Sequence, residues 1–173
     1  MIDKKRESPS PELASPACSM NEADDAYMGY AGRDEILNFL NTLVEAERAG
    51  ARVTHESVEM CGDGPIADLM RTIQRDEARW CSMLMGHVKA LGAAPSKRVG
   101  GFYERAMAIA DPGERIAFLN RGQGWVVRKL QDILPRVRDA DLHDDLAEML
   151  RAHEANITLA NDVAAKALAG RSC

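Results

Sequence analysis

Four residues that could do chemistry together, Glu47, Glu77, Gln123 and His153, each interrupt an apolar stripe near the middle of a long helical pattern. The stripes run through Ile36, Leu40, Leu43, Ala51 and Val58, and through Ile66, Met70, Ile73, Trp80, Leu84 and Leu91. Two more follow Ile116, Leu119, Val127, Leu130 and Leu134, then Leu142, Leu146, Leu150, Ile157 and Ala164. A helix advances about 100° per residue, so each polar residue falls near the centre of its stripe, where burial is expected. Charged side chains are almost never fully buried unless paired or coordinated. Two carboxylates, an amide and an imidazole in one dry layer therefore point to a bound metal, or to a hydrogen-bond network that satisfies itself.

The rest of the chain offers little that competes. Cys18, Cys61, Cys81 and Cys173 form no CxxC pair and no zinc-type spacing, so free reduced thiols are expected. There is no Ser/His/Asp or Cys/His arrangement, and Gly122-Gln123-Gly124 is too short and too helical to cradle a phosphate. His87 suits the C-terminal dipole of its helix, and His55 and His143 read as surface residues. Asp76 and Glu154 lie beside the central residues but toward the flanks of their stripes, where either could orient a ligand. Gly122 and Gly124 each cost a helix about 1 kcal/mol relative to Ala. Their position implies close backbone approach, room for Trp80 or Trp125, or a local π-bulge.

The chain has 173 residues, enough for one domain and a tail. Aromatic residues make up only 5%, which speaks against a β-sandwich or a platform for stacking bases. Acidic and basic residues, 27 and 22, are interspersed and leave a net charge of −5. That balance gives no electrostatic reason to expect nucleic acid or a membrane surface as partner. No run of about 18 apolar residues spans a membrane and no apolar signal region opens the chain, so the expected location is cytoplasmic.

Residues 1–32 are Ser/Pro-rich and are expected to be disordered, with Tyr27 and Tyr30 as points of contact with the folded part, residues 33–170. A first helix is predicted over about 34–60, ended by Gly62 and Gly64, and a second over about 65–91, opened by Pro65 and stopped at Gly92. A longer connection follows, with a short helical piece at about 103–110. Asp111-Pro112-Gly113-Glu114 reads as the cap of a third helix running to about 138, with Pro135 kinking or loosening its end. A tight turn at 139–141 leads into a fourth helix, ending near 169. Short, long and short connections make an all-α, antiparallel four-helix bundle with one long crossover between the second and third helices.

With its polar layer, the chain over about 34–169 resembles the ferritin-like and rubrerythrin-like superfamily of di-iron carboxylate proteins. Those bundles supply one Glu from each of two helices and a Glu-x-x-His pair from each of the other two. Glu47 stands at the first-helix carboxylate and Glu77 at the Glu of the second-helix pair, but Trp80 replaces its histidine. Gln123 stands at the third-helix carboxylate. His153 matches the histidine of the fourth helix, while Leu150 occupies the Glu position. Two irons carry at least four positive charges, which two carboxylates do not balance. One divalent ion, iron, manganese or zinc, does match them. The expected function is binding of a single divalent metal by Glu47, Glu77 and His153, with Gln123 or water completing the set and redox or oxygen-linked chemistry as its use. The alternative is a non-catalytic helical module whose polar layer is metal-free. The resemblance implies a homodimer in either case, and no residue pattern names a substrate.

Overall fold

The structure, a computed structural model, describes residues 27–169. Among them are five α-helices and no strand: α1 (Arg33–Cys61), α2 (Pro65–Ala90), α3 (Phe102–Met107), α4 (Pro112–Ile133) and α5 (Ala140–Ala169), with a 3-10 turn at Leu134–Arg136. None of these helices is long and apolar enough to cross a membrane.

The predicted punctuation is largely in place. Gly62 and Gly64, both at positive φ, separate α1 from α2, and Pro65 opens α2. The Asp111 carboxylate accepts the Glu114 N–H at 2.8 Å, capping α4. α4 departs from expectation at its end: regular helix stops at Ile133, not near 138, and Leu134–Arg136 tighten into 3-10 form. Pro135 has no N–H to offer the α-helical ladder, and its ring crowds the preceding turn. The connecting helix α3 is also shorter than the predicted 103–110.

Cross-helix bonds define how the long helices run. Gln74 bonds His55 at 3.1 Å and the Cys81 thiol reaches the Val44 carbonyl at 3.8 Å, so α1 and α2 are antiparallel. Arg79 with Glu148 at 2.6 Å, and Asn156 with Asp76 at 3.0 Å, set α2 and α5 in opposite directions. At one end of α1, Glu35 pairs with Arg136 just past α4; near the other, Arg115 at the start of α4 donates to Ser57 at 3.4 Å. Asn120 bonds Asn161 at 2.9 Å between α4 and α5.

The core falls into two apolar clusters. One gathers Leu40, Val44, Trp80, Leu84, Val126, Leu130, Leu146 and Met149. The other gathers Val53, Met70, Ile73, Ile116, Leu119 and Ala160. On every long helix the gap between the clusters is occupied by the polar residue, Glu47, Glu77, Gln123 or His153. The stripes are displaced by one residue at several places: Ser57, Val126, Ile133, Met149 and Asn156 are buried while Val58, Val127, Leu134, Leu150 and Ile157 are half-buried.

Of the N-terminal segment, residues 1–26 lie outside the described residues. Tyr27 is 88% exposed and makes no anchoring contact, contrary to expectation, whereas Tyr30 is half-buried. The chain is tied down one residue later, where the Ala31 N–H donates to the Arg136 carbonyl at 2.8 Å. Cys18 and Cys173 also fall outside; Cys61 and Cys81 are free thiols.

Candidate metal centre

Each long helix delivers one side chain to the layer between the clusters. Relative exposure is 0% for Glu47, 4% for Glu77, 3% for Gln123 and 1% for His153. One donor atom from each of Glu47, Glu77 and His153 lies within 4.8 Å of the others. Gln123 joins them by donating its amide N–H to Glu77 Oε1 in a short hydrogen bond.

The imidazole is held in a defined tautomer. Its Nδ1 lies 3.0 Å from the Met149 carbonyl, an acceptor only, so Nδ1 carries a proton, and in the neutral ring Nε2 would present a lone pair. Nε2 points toward Glu47 Oε1, 3.4 Å away, without a hydrogen bond. Histidines that bind metals commonly donate their other ring N–H to a backbone carbonyl in this way. Both Glu47 oxygens and Gln123 Oε1 are likewise buried without a hydrogen-bond partner.

Such a layer resists carrying negative charge. Burial pushes the Glu47 carboxyl up to about 8, with the neighbouring Glu77 carboxyl opposing the rise. Glu77 is raised well above the carboxylate range, first by burial and then by the Glu47 charge, with His153 and Gln123 opposing. A cation between the carboxylates would remove that penalty.

Trp80 and Leu150 stand where the di-iron carboxylate pattern would place a histidine and a glutamate. Trp80 is buried in the first apolar cluster, with its indole N–H unpartnered, and Leu150 packs half-buried against the same cluster. Neither offers a ligand. Asp76 accepts from Asn156, and Glu154 is exposed, so the residue that orients His153 is Met149 through its carbonyl. His87 bonds Asp145 at 2.7 Å, a closer partner than the helix dipole expected for it.

Of the readings open for the two glycines of α4, close approach to the backbone holds at Gly122. A Cβ at Gly122 would lie 2.8 Å from two ring atoms of Phe102, so the space serves the connecting helix α3 and not a tryptophan. α4 shows no π-turn, and Gly124 meets only the Arg128 side chain, 3.7 Å away.

Two features escaped the sequence reading. Gly50, one turn after Glu47, has its missing Cβ position 2.5–2.8 Å from the Glu77 carboxyl atoms, so only glycine leaves room for that carboxylate. Its three-residue spacing from Glu47 was the available signal. The second is a cavity of about 480 Å³ lined by Glu47, Gly50, Glu77 and Gln123 together with residues 100–102 and the α4 residues Phe118, Arg121 and Trp125.

These features define an all-helical protein with a buried carboxylate–histidine cluster that is reached from a side cavity. Over residues 34–163, a span that includes all four central residues, the chain matches the family described as Domain of unknown function (DUF6306), and it belongs to that family. No curated protein and no solved structure matches it.

Proposed function

We propose that this protein is a ferritin-like antiparallel four-helix bundle, with a long crossover from α2 to α4, that holds one divalent metal on Glu47, Glu77 and His153. The bundle reading is supported by the antiparallel pairing of α1 with α2, α2 with α5, and α1 with α4. The location of α3 inside the longest connection supports the crossover.

The observation that carries the metal is the set of bare donors. Glu47 Oε1 and Oε2, His153 Nε2 and Gln123 Oε1 are buried without a hydrogen bond, His153 Nε2 faces Glu47 Oε1 at 3.4 Å, and one donor atom each of Glu47, Glu77 and His153 lies within 4.8 Å of the others. Leaving so many polar atoms unsatisfied costs about 1–3 kcal/mol each, and more when charged. One divalent ion satisfies the donors and neutralises both carboxylates. Iron, manganese and zinc all suit this mixture of oxygen and nitrogen. Once bound, the ion would supply Lewis-acid polarisation or, as iron or manganese, redox and oxygen-linked chemistry. Gln123 holds Glu77 in place with its amide N–H and presents its carbonyl as an auxiliary donor. The protein on this reading is a cytoplasmic homodimer.

A metal-free polar layer in a non-catalytic dimerising module is the competing reading. The Gln123–Glu77 bond and the raised carboxyl pKa values favour it, because a proton kept between Glu47 and Glu77 removes one charge. It still leaves His153 Nε2 and Gln123 Oε1 without a hydrogen bond. Expression with iron, manganese and zinc in turn, followed by elemental analysis, separates the two. About one equivalent per chain is expected, lost in Glu77→Ala. Background content under all three supplies, with Glu77→Ala altering only stability or self-association, would establish the module instead.

A further inference from the structure

The side cavity carries charge of the opposite sign at its two ends. Its deep end is formed by Glu47, Glu77 and Gln123, and its outer wall includes Arg105, Arg121 and Arg128, all exposed. None of these three guanidiniums pairs with a carboxylate among the described residues. Arg105 donates Nε to the Gly101 carbonyl at 3.1 Å, which leaves its terminal nitrogens unengaged by that bond. Arg105 and Arg121 both lie near the Phe118 ring, 6.0 and 5.3 Å from its centroid, so one aromatic ring gathers two like charges. Glu45, the remaining acidic group on the wall, is already engaged by Ser96 at 2.6 Å and Arg98 at 3.4 Å. In a chain of net charge −5, three unpaired arginines around one opening form a local anion site.

Between the two ends the wall is apolar. Phe102 stacks on Phe118 at 4.8 Å, and Leu119, Val126 and Trp125 complete the surface. A cavity of about 480 Å³ is the size of an ordinary small-molecule site. Gln123 Oε1, buried and unpartnered, belongs to a residue lining its floor.

We propose that this cavity binds a small organic carboxylate with an apolar body. The carboxylate sits among Arg105, Arg121 and Arg128, the body lies against Phe102, Phe118 and Trp125, and the far end reaches Gln123. That the far end then meets a metal rests on the function proposed above; recognition of the anion does not. Guanidinium forks suit a carboxylate because they donate two parallel hydrogen bonds. A neutral amide of the same shape loses the charge-assisted part, and an amine meets three positive charges.

The test uses 3-phenylpropionate, 3-phenylpropanamide and 3-phenylpropylamine, titrated calorimetrically into the metal-free and the zinc-supplied full chain. Tryptophan fluorescence provides a second readout through Trp125, and metal content is measured separately. The carboxylate is expected to bind at least about tenfold tighter than the amide, with the amine weakest. Arg121→Gln and Arg128→Gln, both exposed positions, should each weaken the carboxylate about three- to tenfold and leave the amide unchanged. Equal binding of carboxylate and amide, arginine variants without effect, or no saturable binding up to about 10 mM in either form would overturn the proposal. A chain that selects the carboxylate yet holds no metal sinks the metal reading alone; one that holds metal without selecting the carboxylate sinks this one alone.

Discussion

Gly50 of α1 faces the Glu77 carboxylate of α2 so closely that a Cβ on Gly50 would lie 2.5 Å from Oε2 and 2.6 Å from the carboxyl carbon. The helix that supplies one acid thus supplies, one turn later, the gap that receives the other. This pairing brings two carboxylates into the same buried layer.

Gly50→Ala is expected to separate two effects that usually travel together. The exchange favours the helix by about 1 kcal/mol, while the new methyl displaces Glu77. The variant should remain helical by circular dichroism, and its metal affinity by chelator competition should fall at least about tenfold. Wild-type affinity in a folded Ala variant would contradict the role given to Gly50.

Stability of the metal-free protein should fall as pH rises. Glu47 titrates near 8 when folded against 4.5 as its ordinary value, so between those limits the folded chain holds more protons than the unfolded one. The stabilisation is complete below about 4.5 and declines up to about 8, by at most about 1.4 kcal/mol per pH unit for each such group. Metal binding must displace these protons, so metal affinity should move the other way and increase over the same window. Urea unfolding across this range reads the first effect, and Glu47→Gln should flatten it. A metal-free wild type with a flat profile would show that the carboxyls are not held protonated.

Gly122→Ala places a methyl 2.8 Å from the Phe102 ring. The overlap should cost about 1–3 kcal/mol and loosen α3 from α4. Hydrogen exchange over residues 100–110 should become faster, with α1 and α2 unchanged. Unaltered exchange in this segment would mean that Phe102 moves without consequence.

Arg115 is buried without a carboxylate, its Nε and Nη2 donating to the Ile109 carbonyl at 3.1 and 2.6 Å. Arg115→Met should cost about 2–4 kcal/mol, through loss of charge-assisted hydrogen bonds and packing. Arg115→Lys should recover little of this, since an ammonium lacks the fork that reaches one carbonyl from two nitrogens. Full recovery in the Lys variant, read by chemical unfolding, would contradict that geometry.

The helices and the four central polar residues were legible because both follow from periodicity, which is local. Glu47, Glu77, Gln123 and His153 sat where the stripes predicted burial, and burial is what the structure gives them. The end of α4 is not legible in the sequence, because Pro135 permits either a kink or a stop, and the structure has a stop at Ile133. Of Asp76 and Glu154, either of which could orient a ligand by position, Asp76 accepts from Asn156 and Glu154 is exposed. A helix carries its own carbonyls, and the one at Met149 was nearer than any side chain. The glycine at 122 signals close approach, room for a tryptophan or a π-bulge alike, and that Phe102 is what approaches follows from the packing of the connection, which no periodic signal encodes.

The amino-acid order alone determined that the chain is helical, where its turns fall and which polar groups must leave water, since rotation per residue and the chemistry of Gly and Pro act over a few positions. Only the tertiary structure decided that Gln123 grips Glu77, that Gly50 makes room for it, and that three arginines gather around the opening of a cavity. Those relationships join residues far apart in the chain. They depend on the register and separation of neighbouring helices, which arise from packing both apolar clusters at once.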